Sequence, residues 1–361
     1  MPNRIWVNFF FCLALLFTFP TLARTADINL PDGFQIETYT EEVPGARSLA
    51  IGEDYLFVST MKEGKVYAID INDPDKTINT FISGLYMPNG IAFHDGDLYV
   101  AEVHRVLKYK SIESVIKSGV QPEYSIISNY PTDQHHGWRY LVIGADDRIY
   151  VPIGAPCNVC DEDGYAVITS MKLDGTDKRI IANGIRNSVG MTFHPTSGEL
   201  WFTDNGRDML GDDIPPCELN KLSYEGEHFG FPFCHGNNIK DPQYGSLGQC
   251  SNITIPIQEL GPHVAPLGLK FYTGDMFPEE YQNQVFIPER GSWNRSKKIG
   301  YRITMVTLDG DRSTSYQIFA DGWMKDEKTL GRPVDLLVMK DGSMLVSDDH
   351  NGAIYRITYS D

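Results

Sequence analysis

The chain has 361 residues, with 31 Lys and Arg against 48 Asp and Glu, a formal net charge of −17 and 42% hydrophobic residues. That apolar share is enough for a folded core and excludes a disordered or fibrous protein. The acidic balance argues against nucleic acid as a partner, because phosphate binding needs basic surface, and it makes any local gathering of arginines informative.

Residues 1–23 run MPNRIWVNFFFCLALLFTFPTLA. Arg4 precedes an apolar run from Val7 to Phe19, and Thr21-Leu22-Ala23 offers a small-residue cleavage site, which is the build of a secretory signal peptide. One uncleaved anchor is the alternative; the short run and Pro20 weigh against it. No later stretch approaches the run of about 20 apolar residues that spans a bilayer. The expectation is a signal peptide at 1–23 and one soluble domain at 24–361, periplasmic or secreted. That compartment permits disulfides. Cys234 and Cys250 flank a Gly/Asn-rich loop and are expected to pair. Cys157-Asn158-Val159-Cys160 reads as a tight bridge, a redox pair or half of a zinc site, and the lack of a second CxxC favours the bridge. Cys217 is then left as a free, buried thiol.

A short apolar strand, a Gly or Asp turn and a second strand recur six times. The copies are SLAIGEDYLFVST (48–60), GIAFHDGDLYVAE (90–102), YLVIGADDRIYVPIG (140–154), GMTFHPTSGELWFTDNG (190–206), GLKFYTGDMFPEEYQNQVFIPERG (268–291) and DLLVMKDGSMLVSDDHNG (335–352). Their second positions, Leu49, Ile91, Leu141, Met191, Leu269 and Leu336, lie 42, 50, 50, 78 and 67 residues apart. Alternating apolar runs punctuated by turn residues are hairpin signals, and the best helical candidate is short, around 112–118. Six copies without a linker predict an all-β, six-bladed β-propeller; a sandwich or two β domains is the alternative.

In each copy the start of the first strand and the end of the second lie side by side. One face of the ring therefore collects Arg47, Asn89, His135 to Arg139, Arg186-Asn187, His263 to Pro266 and Arg332 with His104, Asn205-Gly206-Arg207, Glu289-Arg290 and Asp348-Asp349-His350. Two long segments, 205–266 and 291–331, break the even spacing and are expected as loops walling a pocket on that face. An acidic protein that gathers Arg139, Arg186, Arg207, Arg290, Arg295 and Arg332 there suits a polyanionic small molecule, since guanidinium grips carboxylates and keeps its charge. Asp204-Asn205-Gly206 and Gly211-Asp212-Asp213 offer oxygen ligands for Ca²⁺ or ordinary Asx turns. His135 and His136 read as a general base or as structural histidines bonded to loop backbone. No GxSxG, P-loop or HExxH occurs, and NAD binding is unsupported.

The phrases at 184–236 (GIRNSVGMTFHPTSGELWFTDNGRDMLGDDIPPCELNKLSYEGEHFGFPFCHG), 135–154, 260–272, 290–303 and 331–357 resemble the glucose/sorbosone dehydrogenase family in its sorbosone-dehydrogenase-like branch, over roughly 27–359. The resemblance implies a six-bladed propeller that carries pyrroloquinoline quinone (PQQ) and Ca²⁺. It also implies oxidation of a sugar substrate and transfer of electrons to a diffusible or membrane-linked acceptor. By the H-x-x-x-R match, His135 would be the general base. Arg186 and Asn187 match the RN pair on the quinone side, with Arg186 stabilising charge on the reduced cofactor oxygen. Gly206 and Arg207 sit where carbonyls hold the cofactor's Ca²⁺, and Glu218 with the Phe229 carbonyl where some relatives hold a second ion. Arg332 matches a cofactor-carboxylate arginine; Arg290 falls near the family's cofactor lysine, with Arg295 competing. Val334 stands where soluble glucose dehydrogenases have a second arginine. Asn89 is the nearest polar residue to an expected glutamine, and Cys217 replaces an acidic residue beside Glu218. The rival readings are a cofactor-free propeller that only binds a ligand, and a Ca²⁺-dependent lactonase with a Glu/Asn/Asp set at the channel axis.

Overall fold

A computed structural model describes residues 27–360. The expected signal peptide at 1–23 lies outside the described residues. Among them, no helix is long and apolar enough to cross a membrane.

Each of the six repeated phrases forms the two inner strands of a sheet of four antiparallel strands, to which blade three adds a fifth, parallel strand at its outer edge. In the first blade these are Ala46–Ile51 and Tyr55–Thr60, followed outward by Val66–Asp70 and Ile78–Ile82. The same order repeats through five blades. The sixth takes Pro333–Val338, Met344–Asp348 and Ala353–Tyr359 from the end of the chain and its outermost strand, Phe34–Thr40, from the beginning. Phe34 pairs opposite Tyr359 and Ile36 opposite Ile357, which closes the ring. The protein is a six-bladed β-propeller. The one helix expected from sequence is present as Ile112–Ser118, ending at Gly119 in the left-handed region that glycine tolerates.

A blade between two neighbours must be apolar on both faces, which is why its strands read as continuous buried runs; every residue of Tyr55–Thr60 is buried. Six apolar clusters fill the six gaps between successive blades. The last gap joins Leu337, Leu345 and Ile354 to Leu49, Leu56 and Tyr67. All six second positions of the repeat are buried. Some inner strands follow a glycine because the backbones meet there: a side chain at Gly90 would strike Leu141, and one at Gly190 would strike the Leu267 carbonyl. At the axis Asp335 accepts from Leu49 N–H (3.0 Å) and Tyr140 O–H (3.2 Å) as well as its own Leu336 N–H (3.0 Å), so one carboxylate ties blades one, three and six.

The long segments at 205–266 and 291–331 are not simply loops. They contain the outer strands of blade four, Cys217–Leu222 and Gln258–Leu260, and of blade five, Arg302–Asp309 and Arg312–Ala320. YRITMVTL (301–308) is legible as a strand from its apolar alternation and is present as Arg302–Asp309; the other three are too short or too polar to stand out within apparent insertions. The segment 223–257 also starts from the turn end of blade four, since Leu222 pairs with Leu200. It climbs along blade three, where Glu227–His228 pairs in parallel with Ala182–Asn183, and is stapled by the Cys234–Cys250 bridge. The expected Cys234–Cys250 pair, the Cys157–Cys160 bridge and a buried free Cys217 are all present.

Ring closure rests on Phe34, whose ring packs 4.8–5.0 Å from Phe277, Tyr281, Phe319 and Tyr359. Phe34→Ala is expected to lower unfolding free energy by about 3–5 kcal/mol. Urea unfolding followed by tryptophan fluorescence measures it, and a loss below about 1 kcal/mol would show that this contact does not hold the ring.

Candidate functional site

The blade registers carry the polar chain ends to one face, as Ala46 opposite Thr60 and Pro333 opposite Asp348 show. A cavity of about 330 Å³ opens there, within the range of small-molecule sites. Its wall includes His135, His136, Arg186, Asn187, Gly206, Arg290 and Arg332, from four of the six blades.

Arg186 is the most tightly held of these. Asp204, at the end of a blade-four strand, accepts the backbone N–H groups of Arg186 (2.8 Å) and Asn187 (2.6 Å) and fixes the turn that presents them. Burial pushes the Asp204 carboxyl up to about 6 against those N–H groups. The guanidinium is buried and uses all five of its N–H donors. Nε reaches the Asn158 carbonyl (2.9 Å). Nη1 reaches the carbonyls of Asn205 and Gly206 (3.0 Å each), and Nη2 reaches Asn158 Oδ1 (3.0 Å) and Asp208 (3.2 Å).

Three further guanidiniums line the cavity. Arg47 Nη1 and Arg290 Nε share one carboxylate oxygen of Asp349, at 2.9 and 2.8 Å, and Arg47 Nε also bonds Asn89 Oδ1 (2.9 Å). The Arg332 backbone N–H donates to Asp348 (2.9 Å), but its guanidinium has no carboxylate partner among the described residues; Nη2 lies 3.5 Å from the Tyr301 hydroxyl and Cζ 5.3 Å over that ring. Four arginines against Asp208 and Asp349 leave the cavity with surplus positive charge. The other Asp349 oxygen is buried without a hydrogen-bond partner.

The two histidines separate by role. Their rings lie 4.0 Å apart. His136 is buried, and its Nδ1–H donates to the Ala155 carbonyl at 2.8 Å, as a loop-bound histidine would. His135 is exposed on the cavity wall. Burial and the Arg186 charge press its pKa below the usual histidine value, so it is neutral and able to accept a proton at pH 7.

Several sequence-predicted residues stand elsewhere. Arg139 is buried and gives its N–H groups to the carbonyls of Val103, His136 and Pro131, bracing the loop that carries both histidines. Arg207 turns from the cavity to Asp241, which also bonds His235. Arg295 staples its loop to the Asp212 carbonyl (3.2 Å) and Asp213 (3.2 Å), off the wall. Glu218 accepts from Gly236 N–H (2.7 Å) and Asn220 (2.9 Å), with burial and Asp204 pushing it up to about 8; the Phe229 ring packs on Phe202. Neither lines the cavity. Among the described residues no three His, Cys, Asp or Glu side chains are grouped to hold a metal. Arg47 was visible on the polar face by its place before a first strand, but its ligand role appears only through Asp349 and Arg290.

The cavity suits a flat polyanion. Val334, where a second arginine was expected, packs with Val189, Leu267 and Trp138 into an apolar patch, and Leu267 and Trp138 reach the cavity wall. The added guanidinium comes from Arg47 instead. The carbonyls of Asn205 and Gly206 already converge on a positive group, the arrangement that a hard cation exploits. Asn205 and Gly206 line the cavity, whereas Arg207 is not on its wall.

The TrAA12-like family matches residues 28–360. The chain belongs to that family. The TrAA12-like chain is 35% identical over 382 aligned positions to an uncharacterized protein of Borreliella burgdorferi, covering 99% of each. In fold it is similar to the calcium structure of Trichoderma reesei Carbohydrate-Active Enzymes Family AA12, with TM-score 0.81, 20% identity, and 92% and 97% of the two chains covered. It is also similar to the holo form of the pyranose dehydrogenase PQQ domain from Coprinopsis cinerea, with TM-score 0.78, 17% identity, and the same coverage. At those identities the structures attest the fold alone. The family is that of PQQ-dependent sugar dehydrogenase-like six-bladed propellers.

Asp349 is pushed up by burial but pulled lower still by Arg47 and Arg290, and so sits below the ordinary carboxylate value. A depressed acid stabilises the fold above its unfolded pKa of about 3.9 and loses that contribution as pH falls through its folded value. Asp349→Asn is therefore expected to cost about 3 kcal/mol near pH 7. The gap from wild type should narrow below about pH 4. Urea unfolding across that range checks it; an equal loss at both ends would remove the ion-pair account.

Proposed function

We propose that the TrAA12-like chain is a PQQ- and Ca²⁺-dependent oxidoreductase that oxidises an aldose or sorbosone-like sugar. The observation that carries this reading is one cavity where Arg47, Arg186, Arg290 and Arg332 meet His135 and the Asn205 and Gly206 carbonyls. Membership of this family and similarity in fold to a pyranose dehydrogenase PQQ domain support it. PQQ, when bound with Ca²⁺, supplies a two-electron acceptor for the hydride leaving the sugar carbon.

The residues of the chain do the rest. Arg47, Arg290 and Arg332 would grip carboxylates of the cofactor, Arg332 most readily because no carboxylate competes for it. Asn187 holds the turn beside them. Asn205 and Gly206 would give their carbonyls to the cation, freeing the Nη1 donors of Arg186 for the quinone side of the cavity. A fixed positive group there stabilises oxygen charge that develops in the transition state, an effect worth about 3 kcal/mol per donor. His135, neutral and solvent-reached, takes the hydroxyl proton of the sugar.

We further place the protein in the periplasm or outside the cell, supported by two disulfides and the signal-like residues 1–23. Its electrons would leave to a diffusible or membrane-linked acceptor. A lactonase would need several carboxylate and amide ligands at the axis, where Asp335 is already bonded to Leu49 N–H, Leu336 N–H and Tyr140.

The test adds PQQ and Ca²⁺ to the purified protein and follows dye reduction with a panel of aldoses and sorbosone, with lactone hydrolysis alongside. Sugar-dependent reduction that requires both additions is expected; no quinone uptake and no reduction would sink the reading. His135→Ala should lower kcat by about 10²–10⁴-fold with PQQ affinity nearly unchanged. Near-normal turnover would move the base elsewhere. Because burial and Arg186 depress His135, wild-type kcat should climb with pH through a limb below about 6.5 and stay level above it. A limb above that value would contradict the assignment.

A further inference from the structure

The short ring closed by Cys157–Cys160 does more than tie a loop. Between its cysteines Asn158 makes four hydrogen bonds, all to groups around the cavity. Its backbone carbonyl accepts from Arg186 Nε (2.9 Å), and its Oδ1 accepts from Arg186 Nη2 (3.0 Å). The same Oδ1 accepts from Asp208 N–H (2.9 Å), while Nδ2 donates to the Asp208 carbonyl (3.1 Å). One four-residue ring thus reaches the buried guanidinium and the loop that follows Gly206.

Only a carboxamide serves all of these at once. It accepts at one atom and donates at the other, and it carries no charge. A carboxylate would hold Arg186 but cancel its charge and leave the Asp208 carbonyl without its donor. Covalent closure of the ring fixes the direction in which the Asn158 backbone carbonyl points.

We propose that Asn158 is a positioning residue: it holds the Nε and Nη2 edge of Arg186 and so directs Nη1 to the Asn205 and Gly206 carbonyls on the cavity wall. Its catalytic consequence rests on the redox reading above. Asn158 touches neither the sugar nor the cofactor site directly, and the cavity wall does not include it.

The test compares wild type, Asn158→Ala and Asn158→Asp. In cofactor-free protein, ¹⁵N-arginine spectra report solvent exchange of the Arg186 Nη protons, assigned with Arg186→Lys. Asn158→Ala is expected to speed that exchange at least tenfold, with the unfolding midpoint nearly unchanged. Asn158→Asp keeps both acceptors for Arg186 and should restore slow exchange. With PQQ and Ca²⁺ added, Asn158→Ala should lower kcat at least tenfold while sugar KM stays within twofold. Unchanged exchange in Asn158→Ala would overturn the proposal. So would faster exchange with normal kcat, or a matched fall in kcat and rise in KM. Should Asn158→Ala not fold, exchange in Asn158→Asp as fast as in free arginine would equally overturn it. A wild-type protein that takes up no quinone fails the redox reading instead, and the exchange comparison still decides whether Asn158 holds the guanidinium.

Discussion

Like charges do not gather in a cavity unless something fixes them there without cancelling them. That constraint shapes the polar face of this propeller. Asp349 holds Arg47 and Arg290 with a single oxygen. Arg186 is held mainly by neutral carbonyls and one amide, with Asp208 as its single side-chain carboxylate partner. Arg332 leans on the face and hydroxyl of Tyr301. The anchors are thus weaker in charge than the groups they anchor, and the surplus is available to a ligand. In a protein of net charge −17 the cavity is a local inversion of sign. Such an inversion concentrates an anionic ligand at one place on an otherwise repelling surface.

The six rigid sheets supply the frame for this arrangement. Each guanidinium comes from a different point on the ring, so its position depends on blade packing and on the axis contacts of Asp335 rather than on local sequence. The excursion at 223–257 adds a brace on one side, pairing with blade three and bonding Glu218 of blade four through Gly236.

The hairpins were legible in the sequence because an apolar strand flanked by Gly or Asp turns has a local signature, repeated six times. The strands Cys217–Leu222 and Arg312–Ala320 were not, because their polar residues read as loop even though the first is largely buried. The site was legible in outline. His135, Arg186, Asn187, Gly206, Arg290 and Arg332 do share a cavity. Arg139 and Arg207 looked equivalent to Arg186 in sequence, yet partners far along the chain, Val103 and Asp241, turn them elsewhere. Arg47 was placed on the polar face by its repeat position but not among the cavity's arginines, since the carboxylate that sets it beside Arg290 is Asp349, some three hundred residues away. Asn158 was masked by the cysteines around it, which drew attention to redox or zinc chemistry rather than to the amide between them.

The way the ring closes has a consequence for how the protein is made. The last sheet cannot be completed until residues 353–359 exist, although residues 34–40, which finish it, precede all five other blades in the chain. The strand at 34–40 therefore waits unpaired while those blades are made, and closure of the ring comes last. Contacts this distant along the chain also slow folding. A chain that cannot lock prematurely stays open until both partners of the closing sheet are present.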